Sequence, residues 1–168
     1  FWITVEKEVL GGKPGLYRKH VAGTRSQFSF RAVISSLTGK HQYDEVHIPW
    51  NVGVEVFRLH LINKLTKLGY WINECFHLLH LNERNYDYNT GHILAKLFDE
   101  LIAESPRQGI PIIMNRNPTM NRGSIQRLGI TKVKTDSDDV TISMSILIVK
   151  TYNADFDGDA LAASILHD

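Results

Sequence analysis

The sequence predicts an α+β fold: one β-sheet or barrel interrupted by a helical insertion. Three observations carry that expectation. Short β-like runs, the last of them alternating apolar and polar residues, lie before residue 50 and after residue 107, while apolar residues recur at helical spacing between them. Neither β half holds enough strands to enclose a core alone, so the two halves are expected to share one. The expected organisation is therefore 1–49 with 108–168 as the β unit, and 50–107 as the inserted helices.

The elements follow in order. "SFRAVISS" (29–36) and "DEVHI" (44–48) are short strand candidates separated by the turn region around Gly39. From Asn51 to Leu68, the residues Val52, Val56, Leu59, Ile62 and Leu65 recur on one helical face, with Gly69 as the stop. A second helix is expected over Ile72 to Leu81. Thr90 is placed to cap a third, whose face carries Ile93, Leu94, Leu97, Leu101 and Ile102, and Pro106 prevents its continuation. After that the period returns to two. "IPIIMNR", "SIQRLGI" and "VTISMSILIVKTY" read as strands, the last with Val140, Ile142, Met144, Ile146 and Ile148 alternating, and "TDSDDV" reads as a turn.

With 168 residues, 43% hydrophobic and 22% charged, the chain is long enough for one well-buried core. No apolar stretch reaches the roughly 18 residues a membrane helix needs, so no membrane partner is expected. A single cysteine, Cys75, cannot form an internal disulfide and agrees with a reducing compartment. The first residue is Phe1, which fits a piece of something longer.

A net charge of +1 hides segregation. Residues 11–40 carry Lys13, Arg18, Lys19, Arg25, Arg31 and Lys40 without an acid, and residues 105–134 carry Arg107, Arg116, Arg122, Arg127, Lys132 and Lys134, again without one. Residues 135–168 hold seven aspartates and one lysine. Two basic blocks beside an acidic one fit a protein that grips a polyanion with arginines and fixes a divalent cation with carboxylates.

The acidic block ends in "YNADFDGD", with Asp155, Asp157 and Asp159 on alternate positions. In a flat strand these would face one way about 7 Å apart, too far for one small cation whose ligands sit roughly 2.0–2.1 Å from it. The segment must bend. Gly158 allows the bend, and Phe156 points the other way to anchor the loop in the core. Oxygen-only ligands favour a hard ion, and three carboxylates leave positions for water and phosphate, so Mg²⁺ is the natural occupant. A calcium loop of the EF-hand kind fails because Ser164 stands where its last glutamate belongs, Asn153 stands where its first aspartate does, and the segment before it reads as strand and not helix. A solvated acidic turn is the remaining local alternative. Cys75, His77 and His80 form one short cluster without a second pair, which reads as helix packing and not zinc. Trp2, Trp50 and Trp71 read as core or interface residues.

"YNADFDGD" resembles the signature of the largest, beta-prime-type subunit of multisubunit DNA-dependent RNA polymerases. "NRNPTMNRGSIQRLGI" (115–130) is similar to that family's arginine and proline-threonine segment, and "GGKPGLYRKHVAGTRSQFSFRAVI" (11–34) to its basic stretch near template and hybrid. The blocks stand in the family's order, so the likeness covers nearly the whole chain. It implies a double-psi β-barrel in which Asp155, Asp157 and Asp159 hold the permanent catalytic Mg²⁺. It further implies that Asn153 and Arg116 reach ribose hydroxyls, that Pro118 and Thr119 shape the wall beside Arg116, and that Lys13, Arg18, Arg25 and Arg31 meet template and hybrid phosphates. Where cellular members usually read leucine and histidine after the proline-threonine pair, this chain has Met120 and Asn121, and Gln27 to Phe30 match loosely. That divergence points to a viral, large-phage enzyme working in the host cytoplasm, or packaged in a virion.

The reaction so implied is template-directed nucleotidyl transfer with two Mg²⁺ ions, one tightly held and one arriving with the nucleoside triphosphate. Its partners would be a beta-type subunit, the remaining beta-prime portions, template DNA and the RNA transcript, and the chain alone would be inactive. Two other classes stay open: a non-catalytic nucleic-acid-binding module of the same shape, and a silencing-type RNA-dependent RNA polymerase fragment sharing a DxDGD core. The Arg116 segment and the leading basic block argue against the latter.

Overall fold

The structure, a computed structural model, describes residues 2–10, 15–16, 23, 26–105 and 109–166. Within them, six strands close into a barrel and helices lie between the second and third strands, the α+β arrangement the sequence predicts. A short turn of helix, α1 (Trp2–Thr4), opens the chain. The strands are β1 (Ser29–Ser36), β2 (Glu45–Ile48), β3 (Ile110–Asn115), β4 (Ile125–Val133), β5 (Ile142–Met144) and β6 (Ala160–Ile165). Their order around the barrel is β1-β5-β2-β4-β3-β6. Two pairs run parallel, β1 with β5 and β2 with β4, and the other four are antiparallel.

Alternate residues fill the interior, as a pleated strand requires. Val46 and Ile48, Ile112 and Met114, Leu128 and Ile130, Ile142 and Met144, and Leu161, Ala163 and Ile165 are all buried. Closure leaves no free edge, so even the three-residue β5 has both neighbours. A polar network ties its outer side: Lys134 Nζ donates to Asp139 Oδ2 at 2.7 Å and to Ser143 Oγ at 2.9 Å, and Thr141 Oγ1 donates to Ser35 Oγ at 2.6 Å. Burial alone would raise the Asp139 carboxyl, but the Lys134 and Thr141 hydrogen bonds outweigh it and hold the group below its ordinary range.

The helices are α2 (Trp50–Val56), α3 (Arg58–Lys67), α4 (Ile72–Asn82) and α5 (Gly91–Glu104). The single helix expected from Asn51 to Leu68 is broken at Phe57, whose ring is buried edge-on to Phe98 at 6.1 Å. The break lets α2 meet β1 while α3 lies along α4 and α5. Gly69 ends α3 at φ 96°, as its position predicts. At the start of α5 the Thr90 hydroxyl does not cap the helix. Asp87 takes that part: its carboxylate accepts the Thr90 N–H at 3.0 Å, while the Thr90 hydroxyl accepts from Asn82 Nδ2 at 2.8 Å. Trp50 anchors the helices from a fully buried position, edge-on to Tyr86 and Phe98, with Nε1 donating to Asn82 O at 2.9 Å. Trp2 and Trp71, expected in the core or an interface, are exposed on this chain.

The run 140–152 departs most from its alternation. Only Ile142–Met144 is a strand; Ser145 then accepts the Leu147 N–H and caps a short helix, α6 (Ile146–Val149). Ile146 and Leu147 therefore face solvent. β6, "ALAASI", has little intrinsic strand preference and forms because β1 and β3 pair with both its edges.

Ile130 is fully buried and lies between Val46 of β2 and Ile110 of β3. Ile130→Ala should lower unfolding free energy by about 2–5 kcal/mol with little change in denaturant slope. A urea titration showing a loss below about 1 kcal/mol would mean that the barrel centre is not where the core packs.

Candidate metal centre

The aspartates occupy the loop between α6 and β6, and both ends of that loop are fixed. At its entrance Tyr152 is buried, its hydroxyl 3.5 Å from the Met114 carbonyl oxygen of β3, and burial pushes its phenol far above the ordinary range. Thr151 is held from the side by Gln126 of β4. Asn153 then adopts a left-handed conformation, φ 53°, which an asparagine tolerates better than most side chains. At the exit the Asp159 carbonyl accepts the Ile34 N–H of β1 at 2.9 Å. Between these points Phe156 packs against the core, and Gly158 at φ 120° turns the chain with open space where a side chain would be.

The bend brings one carboxylate oxygen each of Asp155, Asp157 and Asp159 within 4.8 Å of one another, with Asp155 and Asp157 exposed and Asp159 half-buried. Ligands of an octahedral ion at about 2.1 Å stand about 3.0 Å apart when adjacent and about 4.2 Å when opposite, and three ligands include at most one opposite pair, so the set must draw together to close around a hard divalent ion. An all-oxygen, all-anionic donor set fits Mg²⁺ and offers nothing to a soft metal. Among the described residues this is the only such group of three.

Crowding is visible in the charges. A hydrogen bond with the Asp157 side chain, the loss of some hydration, and the charges of Asp157 and Asp159 all raise the Asp155 carboxyl above its ordinary value. Asp159 is placed differently. Its Oδ2 accepts Arg116 Nη2 at 3.0 Å and the Asp155 backbone N–H at 3.2 Å.

Arg116 reaches Asp159 because β3 and β6 are neighbours, with Asn115 paired to Ala162. The segment behind it is compact: Thr119 Oγ1 bonds Asn115 Oδ1 at 2.9 Å and the Arg116 carbonyl at 3.2 Å, while Pro118 follows a cis peptide bond and is exposed. Asn153 lies exposed two residues before Asp155. Arg31 is exposed on β1, opposite Ala162 of β6. Lys13, Arg18 and Arg25 lie outside the described residues. Cys75 is buried in the core, and His80 Nδ1 lies 3.2 Å from Glu83 Oε2. Sequence reasoning missed Tyr152 and Gln126 as supports of the loop and the pairing of Arg116 with Asp159; a tyrosine directly before an acidic loop was the available signal for the first.

The chain matches the family described as RNA polymerase Rpb1, domain 2, over residues 23–167. It is 31% identical over 162 residues to the DNA-directed RNA polymerase subunit beta' of Sulfurimonas denitrificans and 32% over 160 to that of Aliarcobacter butzleri. Identity to the same subunit of Campylobacter jejuni is 29% over 158 residues. Each alignment covers 94% of this chain and 9% of the relative, so the chain spans about a tenth of their length. These relatives are bacterial and lend no support to the viral source expected from Met120 and Asn121.

A raised carboxyl means that the ionised form of Asp155 is less stable in the folded chain than in the unfolded one. The folded pKa lies above the unfolded one, so stability is present below the unfolded value and lost as pH rises through the folded value. Asp155→Asn should therefore raise the melting temperature of the metal-free chain at pH 7 and flatten the fall in stability as pH rises through the titration of this carboxyl. Melts that are unchanged at pH 7 would show that solvent already relieves the repulsion.

Proposed function

The chain belongs to the RNA polymerase Rpb1 domain 2 family, and from that premise we propose that it supplies the metal-binding catalytic loop of a DNA-directed RNA polymerase. The closed six-stranded barrel with its inserted helices is the family's α+β double-psi barrel. The observation that carries the catalytic reading is the gathering of Asp155, Asp157 and Asp159 on one loop, beside an arginine brought from a distant strand.

Bound there, Mg²⁺ would lower the pKa of the RNA 3′-hydroxyl and, with a second ion carried by the nucleoside triphosphate, stabilise the attacking and leaving oxygens. The three aspartates supply charge and geometry to that centre and transfer no proton. Arg116, directly after β3, and Asn153, at the loop entrance, would present donors to ribose hydroxyls. Pro118 and Thr119 shape the wall behind Arg116. Arg31, together with Lys13, Arg18 and Arg25, would grip template and hybrid phosphates, a contact blind to sequence and weakened by salt. Base choice would come from template pairing. Since the chain spans about a tenth of its relatives, a beta-type subunit and further beta-prime portions would complete the enzyme. No helix among the described residues is long and apolar enough to cross a membrane.

Asp157→Ala in the assembled enzyme should reduce RNA extension by at least about a thousandfold while leaving assembly intact, as expected for a lost ligand of a catalytic ion. Extension at the wild-type rate would defeat the assignment. The isolated chain should make no RNA from template and triphosphates, and robust synthesis by it would show that no partner is needed.

A further inference from the structure

The contact between Arg116 and Asp159 assigns the arginine a part that ribose recognition does not explain. A carboxylate oxygen has two lone-pair directions. On Asp159 Oδ2 one is filled by the Asp155 N–H and the other by Arg116 Nη2, a full positive charge. The two side chains are 21% and 27% exposed, so water screens the pair without abolishing its field. Among the described residues Arg116 is the cation paired with the acidic trio, and it directly follows β3, 43 residues before Asp159 in the chain.

Resting on the reading of the trio as metal ligands, we propose that Arg116 is the built-in counter-cation of this centre: it holds Asp159 while no ion is bound, and an arriving divalent ion must share that carboxylate with it or displace it. Three acidic side chains within 4.8 Å repel one another, and the guanidinium offsets part of that repulsion without a metal. The loop is thereby assembled before the ion arrives. The same charge opposes the ion, so Arg116 lowers the affinity the trio would otherwise have for it. Coupling of this kind is reciprocal: whatever the arginine takes from metal affinity, the metal takes from the arginine's hold on Asp159. Where the ion displaces it, Arg116 Nη2 is released from Asp159, while the other guanidinium N–H groups are not engaged by that carboxylate in either case.

A purely structural role for Arg116 has the opposite sign. If it only shaped the loop, removing it would weaken metal binding. The test is Mn²⁺ titration followed by electron paramagnetic resonance on the assembled polymerase, with wild type, R116Q, R116K and D157A, and with R116M in place of R116Q should the latter fail to assemble. R116Q should bind Mn²⁺ about tenfold more tightly than wild type, because one like charge has been removed beside a divalent ion. R116K, which keeps the charge, should stay near the wild-type affinity, and D157A should lose the site. Unchanged or weaker binding by R116Q, with D157A silent, overturns the counter-cation while leaving the metal reading intact. Mn²⁺ binding that survives in D157A overturns the metal reading and this proposal with it.

Discussion

The structure depends on holding three like charges closer together than a chain would choose. One carboxylate oxygen from each of Asp155, Asp157 and Asp159 lies within 4.8 Å of the other two, and a hydrogen bond with Asp157, with the charges of Asp157 and Asp159 adding to it, raises the Asp155 carboxyl. A free loop would relieve the strain by spreading into water. This one cannot, because Tyr152 is buried beneath β3 at one end and the Asp159 carbonyl is bonded to β1 at the other. The barrel thus acts as a clamp, and its stability is the source of the energy that keeps the carboxylates together.

Closure explains why so short a set of strands suffices. β5 has three residues and β2 four, lengths that would be marginal in an open sheet. Paired on both sides, they have no edge to fray, and the Lys134, Asp139, Thr141 and Ser35 network secures the shortest strand from outside. Topology also sets chemistry. β3 and β6 are far apart in sequence, yet their antiparallel pairing delivers Arg116 to Asp159. The aspartates and the arginine are therefore one electrostatic unit built from two segments.

The helices between β2 and β3 are packed around a second aromatic centre formed by Trp50, Phe57, Tyr86 and Phe98. They adjoin the barrel without entering the acidic site, and α5 lies against β4. Divergence from the family's usual reading at Met120 and Asn121 falls on the exposed turn between β3 and β4, next to Arg116 and away from the buried core. Substitution there is compatible with an unchanged barrel.

Much was legible in the sequence because it depended on local chemistry. Short β-like runs bounded by turn residues marked β1 to β4, helical spacing marked the stretch of α2 and α3 and that of α5, and a glycine among alternating aspartates required a bend for any shared ion. Elsewhere the expected elements changed: the helical run is interrupted at Phe57, whose ring lies edge-on to Phe98, Ser145 caps a short helix within the alternating run, and the alanine-rich β6 is a strand paired on both sides by β1 and β3. By itself, then, the sequence determined the ligand chemistry, three hard oxygen donors on one flexible turn, since that follows from residue type and spacing. Only the tertiary structure decided which cation of the chain stands beside them, because charge pairing acts through space over a few ångströms and the strand order alone brings Arg116 within that range.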